Sequence, residues 1–167
     1  MEFKFKGNPI HLLGTQVKVG DKAPDFKATK ADMTSYQLSE DLGKTVVLSV
    51  VPSVDTSLCS IQTKLFNEEA TKLSEEVRIV TVSLDLPFAQ QRFCAAEGIE
   101  NIITVSDYKE REFGNKYGFL IDELKLLARG IVIVDREGNV AYTEYLEDSA
   151  TEVDFKSALE KVKELLK

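Results

Sequence analysis

The chain has 167 residues, 43% of them hydrophobic and 29% charged, enough for one domain with a substantial buried core. Its 21 basic and 28 acidic residues leave a net charge of −7 with no basic cluster. That argues against nucleic acid, which is bound largely through phosphate neutralisation, and against an anionic membrane surface.

The N-terminus, "MEFKFKGNPI", alternates apolar and charged residues and lacks the continuous apolar core of a signal peptide. No apolar run approaches the roughly 18 residues of a membrane span. The expectation is a cytoplasmic protein. Residues 1–14 read as a β-hairpin: Phe3 and Phe5 alternate with Lys4 and Lys6, Gly7-Asn8 offers a turn, and Ile10, Leu12 and Leu13 return. A loop punctuated by Gly20 and Pro24 follows. "TVVLSVV" (45–51) is a short β-branched run, as in a strand buried on both faces. A helix is predicted from Ser57 to Leu73, with Ile61, Leu65, Ala70 and Leu73 as its core stripe. "VRIVTVSL" (77–84) is a second buried strand. The segment 87–98 reads as a helix, with Pro87 in its first turn and Gly98 near its end. A short strand (102–105), a weak helix or turn (109–118), a hairpin (130–135 and 140–145 across "REGN") and an amphipathic closing helix (152–167) complete the chain. Strands alternating with helices, then β-β-α, predict a single α/β domain over 1–167. Its mixed central sheet is flanked by helices, the outline of a thioredoxin-like fold.

The chain contains two cysteines and one histidine, too few for a zinc set. In a reducing compartment such cysteines are redox-active, catalytic or packing residues rather than a permanent staple. Cys59, in "VPSVDTSLCS", falls where a strand gives way to a helix, and reactive groups in such sheets lie beyond the carboxyl ends of the strands. A thiolate gains there from unpaired backbone N–H groups and the helix dipole. Thr56 lies on the same side of that turn, so its hydroxyl can reach the thiolate or a bound substrate oxygen. The Pro52 ring can wall off one side of a pocket. His11 sits in the N-terminal hairpin, which leaves Arg129, in "LLARGIVIVD", as the candidate cation beside the thiolate. The plain alternatives are Cys59 as a small buried hydrophobe, Arg129 in a salt bridge with a nearby carboxylate, and Cys94 as a packing residue on its helix.

"PSVDTSLC" (52–59) matches the P-x-x-x-T-x-x-C motif of the peroxiredoxins, and the chain resembles one branch of them, the bacterial thiol peroxidases. "SLDLPFAQQRFCAAEG" (83–98), "LLARGIVIVD" (126–135) and "GNPIHLLGTQVKVGDKAPDF" (7–26) resemble further segments of that branch in the right order. Phe93 stands where tryptophan is frequent, and Gly130 where alanine is common. The resemblance implies that Cys59 is the peroxidatic cysteine and Cys94 the resolving cysteine of the same chain, with Thr56, Pro52 and Arg129 completing the peroxide pocket. It also implies alkyl hydroperoxides or hydrogen peroxide as substrate, an intramolecular Cys59–Cys94 disulfide, reduction by thioredoxin or a similar dithiol, a homodimer, and no metal, flavin or haem cofactor. A different class of function uses the same cysteines: a non-enzymatic redox-responsive binding module, which has no need of Thr56, Arg129 and Pro52 as a set.

Overall fold

The computed structural model describes residues 2–167. β1 (Phe3–Phe5) and β2 (Asn8–Ile10) pair antiparallel as the expected hairpin. Its turn lies at Lys6–Gly7, one residue before the Gly7-Asn8 pair, with φ of 52° and 80°. Two successive positive φ values suit the twist of a tight hairpin. The Asp148 carboxylate accepts hydrogen bonds from both turn amides, at 3.0 and 2.9 Å, which helps hold a lysine in that conformation. β3 (Leu12–Leu13) does not return onto Phe3 and Phe5 but pairs antiparallel with residues 120–121.

β4 (Lys27–Lys30) and β5 (Ser35–Gln37) were not expected from the sequence; a 3-10 turn over Leu38–Asp41 follows them. The central run is close to expectation: β6 (Thr45–Val50), α1 (Ser57–Ala70), β7 (Val77–Ser83), α2 (Pro87–Glu97), β8 (Ile103–Ser106) and α3 (Glu112–Tyr117). β9 (Leu120–Ile121), β10 (Gly130–Val134), β11 (Val140–Tyr145) and α4 (Phe155–Leu165) complete the order. The main sheet has seven strands in the order β11-β10-β6-β7-β8-β4-β5. β6, β7 and β8 are parallel, and the flanking pairs are antiparallel. This is the mixed sheet flanked by helices.

Alternation along the buried strands feeds two cores. Val46, Leu48, Val80, Val82, Val132 and Val134 face an aromatic cluster containing Phe26, Phe113, Tyr117 and Phe119. Val47, Ile79, Ile131 and Ile133 face the other side, against Phe66 of α1, Phe93 and Cys94 of α2, and Ala158 and Val162 of α4. α1 and α2 therefore lie on one face of the sheet, tied by a Lys64–Glu97 ion pair of 2.6 Å. The inward face of α1 differs from the expected stripe. Cys59, Gln62, Thr63 and Phe66 are buried, whereas Ile61 and Leu65 are 46% and 37% exposed. The i, i+3, i+4, i+7 spacing of the buried set is helical. Two of its members are polar: Gln62 meets Ser49 of β6 and Arg129, and Thr63 donates back to the Cys59 carbonyl within the helix.

Candidate active site

The antiparallel pairing of β10 with β6 places Gly130 opposite Val50. The start of one strand thus lies beside the carboxyl end of the other. Arg129 precedes Gly130, and the Pro52–Thr56 loop leaves Val50 toward α1, so residues far apart in sequence converge there. Pro52 is buried just beyond β6. Thr56 caps α1: its hydroxyl accepts from the Cys59 amide at 3.3 Å and donates to the Ser53 carbonyl at 3.3 Å. Cys59 is the third residue of α1, and no acidic side chain occupies that first turn to oppose an anion.

The Cys59 side chain is fully buried, and its Sγ lies 3.1 Å from Nη2 of Arg129. Arg129 is itself only 2% exposed. Its Nε donates to the Ser149 carbonyl at 2.9 Å and its Nη1 to Gln62 Oε1 at 3.0 Å, while its backbone amide donates to Ser149 Oγ at 3.1 Å. Gln62 is held in turn by donation from Nε2 to Ser49 Oγ at 2.8 Å. Among the described residues no carboxylate forms a salt bridge with Arg129, so its charge is directed at sulfur and neutral oxygens. An arginine buried this way satisfies N–H groups with neutral acceptors and presents one edge of the cation to the sulfur. A cavity of about 50 Å³ opens against Arg129 and Gln62, lined also by Glu152 and by the apolar Leu58, Ile61, Leu65, Val153 and Phe155; Cys59, Thr56 and Pro52 lie outside its lining. Gln62 and Ser149 were missed in the sequence. Gln62 was legible in principle, one helical turn from Cys59 on the same face; Ser149 carries no local signal.

Cys94 is half-buried in the second core, its S–H 3.9 Å from Thr104 Oγ1 on β8. Burial pushes its pKa up, and the Thr104 contact opposes that only in part. Both cysteines are free thiols. His11 pairs with Glu123 at 2.6 Å in an exposed contact. Among the described residues no group of three or more His, Cys, Asp or Glu side chains is arranged to hold a metal ion, and no helix is long and apolar enough to cross a membrane.

The redoxin family model matches residues 18–162. The chain is 50% identical over 155 residues to the thiol peroxidase of Oceanobacillus iheyensis, covering 93% of this chain and 94% of that protein. It is 43% identical over 166 residues to the thiol peroxidase of Bacillus subtilis, covering 99% of each. The crystal structure of a peroxiredoxin-like protein from Aquifex aeolicus matches with a TM-score of 0.92 at 38% identity, covering 98% of this chain and 96% of that one. Likeness of this extent in both sequence and backbone places the chain in the redoxin family, among the thiol peroxidases, which makes it a peroxiredoxin enzyme on a thioredoxin-like fold.

Proposed function

We propose that the chain reduces hydroperoxides through Cys59. The single observation that carries this reading is the Arg129 guanidinium, buried, without a salt-bridging carboxylate among the described residues, and 3.1 Å from Cys59 Sγ. The thiolate attacks the terminal peroxide oxygen, the O–O bond breaks, and the alkoxide or hydroxide leaves to take up a proton. Cys59 becomes a sulfenic acid. Arg129 Nη2 donates to peroxide, and the Thr56 hydroxyl and the Cys59 amide join it by turning from the Ser53 carbonyl and Thr56 Oγ1 to the two peroxide oxygens, where negative charge develops. The Cys59–Thr56 hydrogen bond is long, at 3.3 Å, so that amide is readily redirected to substrate. Pro52 closes one wall. The cavity is walled by Leu58, Ile61, Leu65, Val153 and Phe155 with Glu152 as its one acidic lining residue, a predominantly apolar surround that supports alkyl hydroperoxides over hydrogen peroxide.

Cys94 then attacks the sulfenic sulfur, forming a Cys59–Cys94 disulfide and releasing water. A thioredoxin-type dithiol in the cytoplasm returns both thiols. Cys59 Sγ faces Arg129 and is fully buried, whereas Cys94 Sγ faces Thr104 on β8. Both side chains leave these contacts to join, through unwinding of the first turn of α1 and a shift of α2. Ile61 and Leu65, exposed beside the cavity, support a homodimer that covers them.

Replacing Cys59 with serine is expected to abolish dithiol-dependent peroxide turnover. Cys94→Ser is expected to leave the first oxidation intact but stop turnover by a thioredoxin-type reductant. Peroxide-consumption assays on both variants check this, and near-native turnover by Cys59→Ser would remove the basis of the reading.

A further inference from the structure

The carboxylate of Asp85 lies outside the peroxide pocket, yet it joins every segment that must move. Its Oδ1 accepts from the Ser53 hydroxyl at 2.7 Å, and its Oδ2 accepts from the Val54 amide at 2.8 Å and the Ser83 hydroxyl at 2.7 Å. Ser83 Oγ accepts from Nε2 of Gln90 at 2.9 Å, and the same Nε2 donates to the Val105 carbonyl at 2.9 Å. Gln90 is fully buried on α2, one helical turn before Cys94. The Ser106 hydroxyl donates to the Asp85 carbonyl. On the other side, the Ser53 carbonyl accepts from the Thr56 hydroxyl and amide, both at 3.3 Å, and Thr56 Oγ1 accepts from the Cys59 amide; the Thr56 amide bond keeps the link when the hydroxyl and the Cys59 amide turn to peroxide. An unbroken hydrogen-bond chain thus runs from the first turn of α1, through Asp85, to the helix that carries Cys94.

We propose that Asp85 is a positioning residue that latches the Cys59 turn and α2 together in the peroxide-reactive arrangement, so that the two segments release as one unit when the disulfide forms. This rests on the Cys59–Cys94 chemistry proposed above. Two of the contacts to Asp85 come from the loop before Cys59, and one comes from Ser83, which seats Gln90. Weakening the carboxylate therefore loosens both ends at once. Asparagine at position 85 keeps the size but presents an NH₂ group where one of two oxygens accepted. A donor then faces a donor, and the latch weakens by at least one charge-assisted hydrogen bond.

The latched form reacts with peroxide, and the released form makes the disulfide. Loss of the latch is therefore expected to move the two steps differently, which general destabilisation does not do. Sulfenic acid is trapped with dimedone and disulfide is followed by rapid-quench mass spectrometry, since the chain has no tryptophan to report the steps. For Asp85→Asn the disulfide-forming step is expected to be about tenfold faster than in the native chain, the equivalent of one such bond, with Cys59 oxidation no faster. Ser53→Ala, which removes one contact at the loop end, is expected to shift the same ratio in the same direction by a smaller factor, and keeps the test open if Asp85→Asn does not fold. Hydrogen exchange on the reduced protein reads the latch without any peroxide: residues 55–63 and 88–97 are expected to exchange faster together in either variant. Unchanged or slower disulfide formation, or faster exchange confined to one segment, would overturn the latch. A native chain whose Cys59 peroxide leaves unoxidised would instead overturn the peroxidase chemistry, while the exchange result would still decide whether Asp85 joins the two segments.

Discussion

Arg129 engages three separate acceptors through its guanidinium: Ser149, Gln62 and Cys59. A lysine has a single nitrogen and cannot span them, and its ammonium is harder to bury. Arg129→Lys is therefore expected to slow Cys59 oxidation about a hundredfold, the scale of losing a preorganised donor at a developing anion. The rate of dimedone-trapped sulfenic acid formation checks this, with the melting temperature as a companion reading. A variant oxidised at the native rate would show that the guanidinium serves packing alone. The sequence made Arg129 a candidate because a cation at the start of a buried strand needs a partner, but it left a carboxylate as that partner open. Only the antiparallel register of β10 on β6, invisible in local pattern, decides that it faces sulfur.

At the scale of elements, the pairing of β10 with β11 on its other side makes Gly130 necessary. A Cβ there would lie 2.1 Å from the Glu144 carbonyl oxygen and 2.6 Å from Phe119 Cε1. Phe119 stacks on Tyr145 with ring centroids 4.4 Å apart, so the space that an alanine needs is filled. Gly130→Ala is expected to cost about 1–3 kcal/mol by overpacking. It is also expected to slow Cys59 oxidation by displacing Arg129. Chemical denaturation measures the first effect, and a variant as stable as the native chain would mean that the β10–β11 ladder opens without cost. The strands with β-branched runs (β6, β7, β10) and the helices with clear caps were legible in the sequence. The stripe of α1 was legible only in part: Ala70 and Leu73 pack against the second core, but Ile61 and Leu65 do not. Hydrophobicity pointed to Ile61 and Leu65, but the helix turns Gln62 and Thr63 inward to meet Ser49, Arg129 and the Cys59 carbonyl. β4 and β5 escaped notice because they are short and only Ala28, Thr29 and Tyr36 of them are fully buried.

At the scale of the whole molecule, stability depends on a carboxyl group away from the reaction. Burial pushes Asp107 up to about 6, although the amides of Phe113 and Gly114 donate to it at 3.1 and 2.8 Å. In the unfolded chain an aspartate titrates near 3.9. Between about pH 4 and 6 the native state therefore holds a proton that the unfolded chain has released, and the contribution of this group to stability falls as pH rises through that window. Asp107→Asn is expected to flatten that part of the stability–pH curve, as urea denaturation at pH 4, 5, 6 and 7 would show. A variant with the native slope would mean that other groups set it. The alternation of strands and helices made the mixed sheet readable from sequence. What joins the sheet into a working site was less readable: Asp85 and Ser149 act through contacts between segments that no local spacing announces, and only Gln62, one helical turn from Cys59, had a local signal.

The most direct test of the central claim is a single turnover. Reduced protein is mixed with equimolar cumene hydroperoxide and followed by intact and peptide mass spectrometry. Rapid loss of a pair of hydrogens, with a peptide cross-linked between Cys59 and Cys94, is the predicted result. An unchanged mass after minutes would contradict it and leave Cys59 a packing residue beneath an arginine.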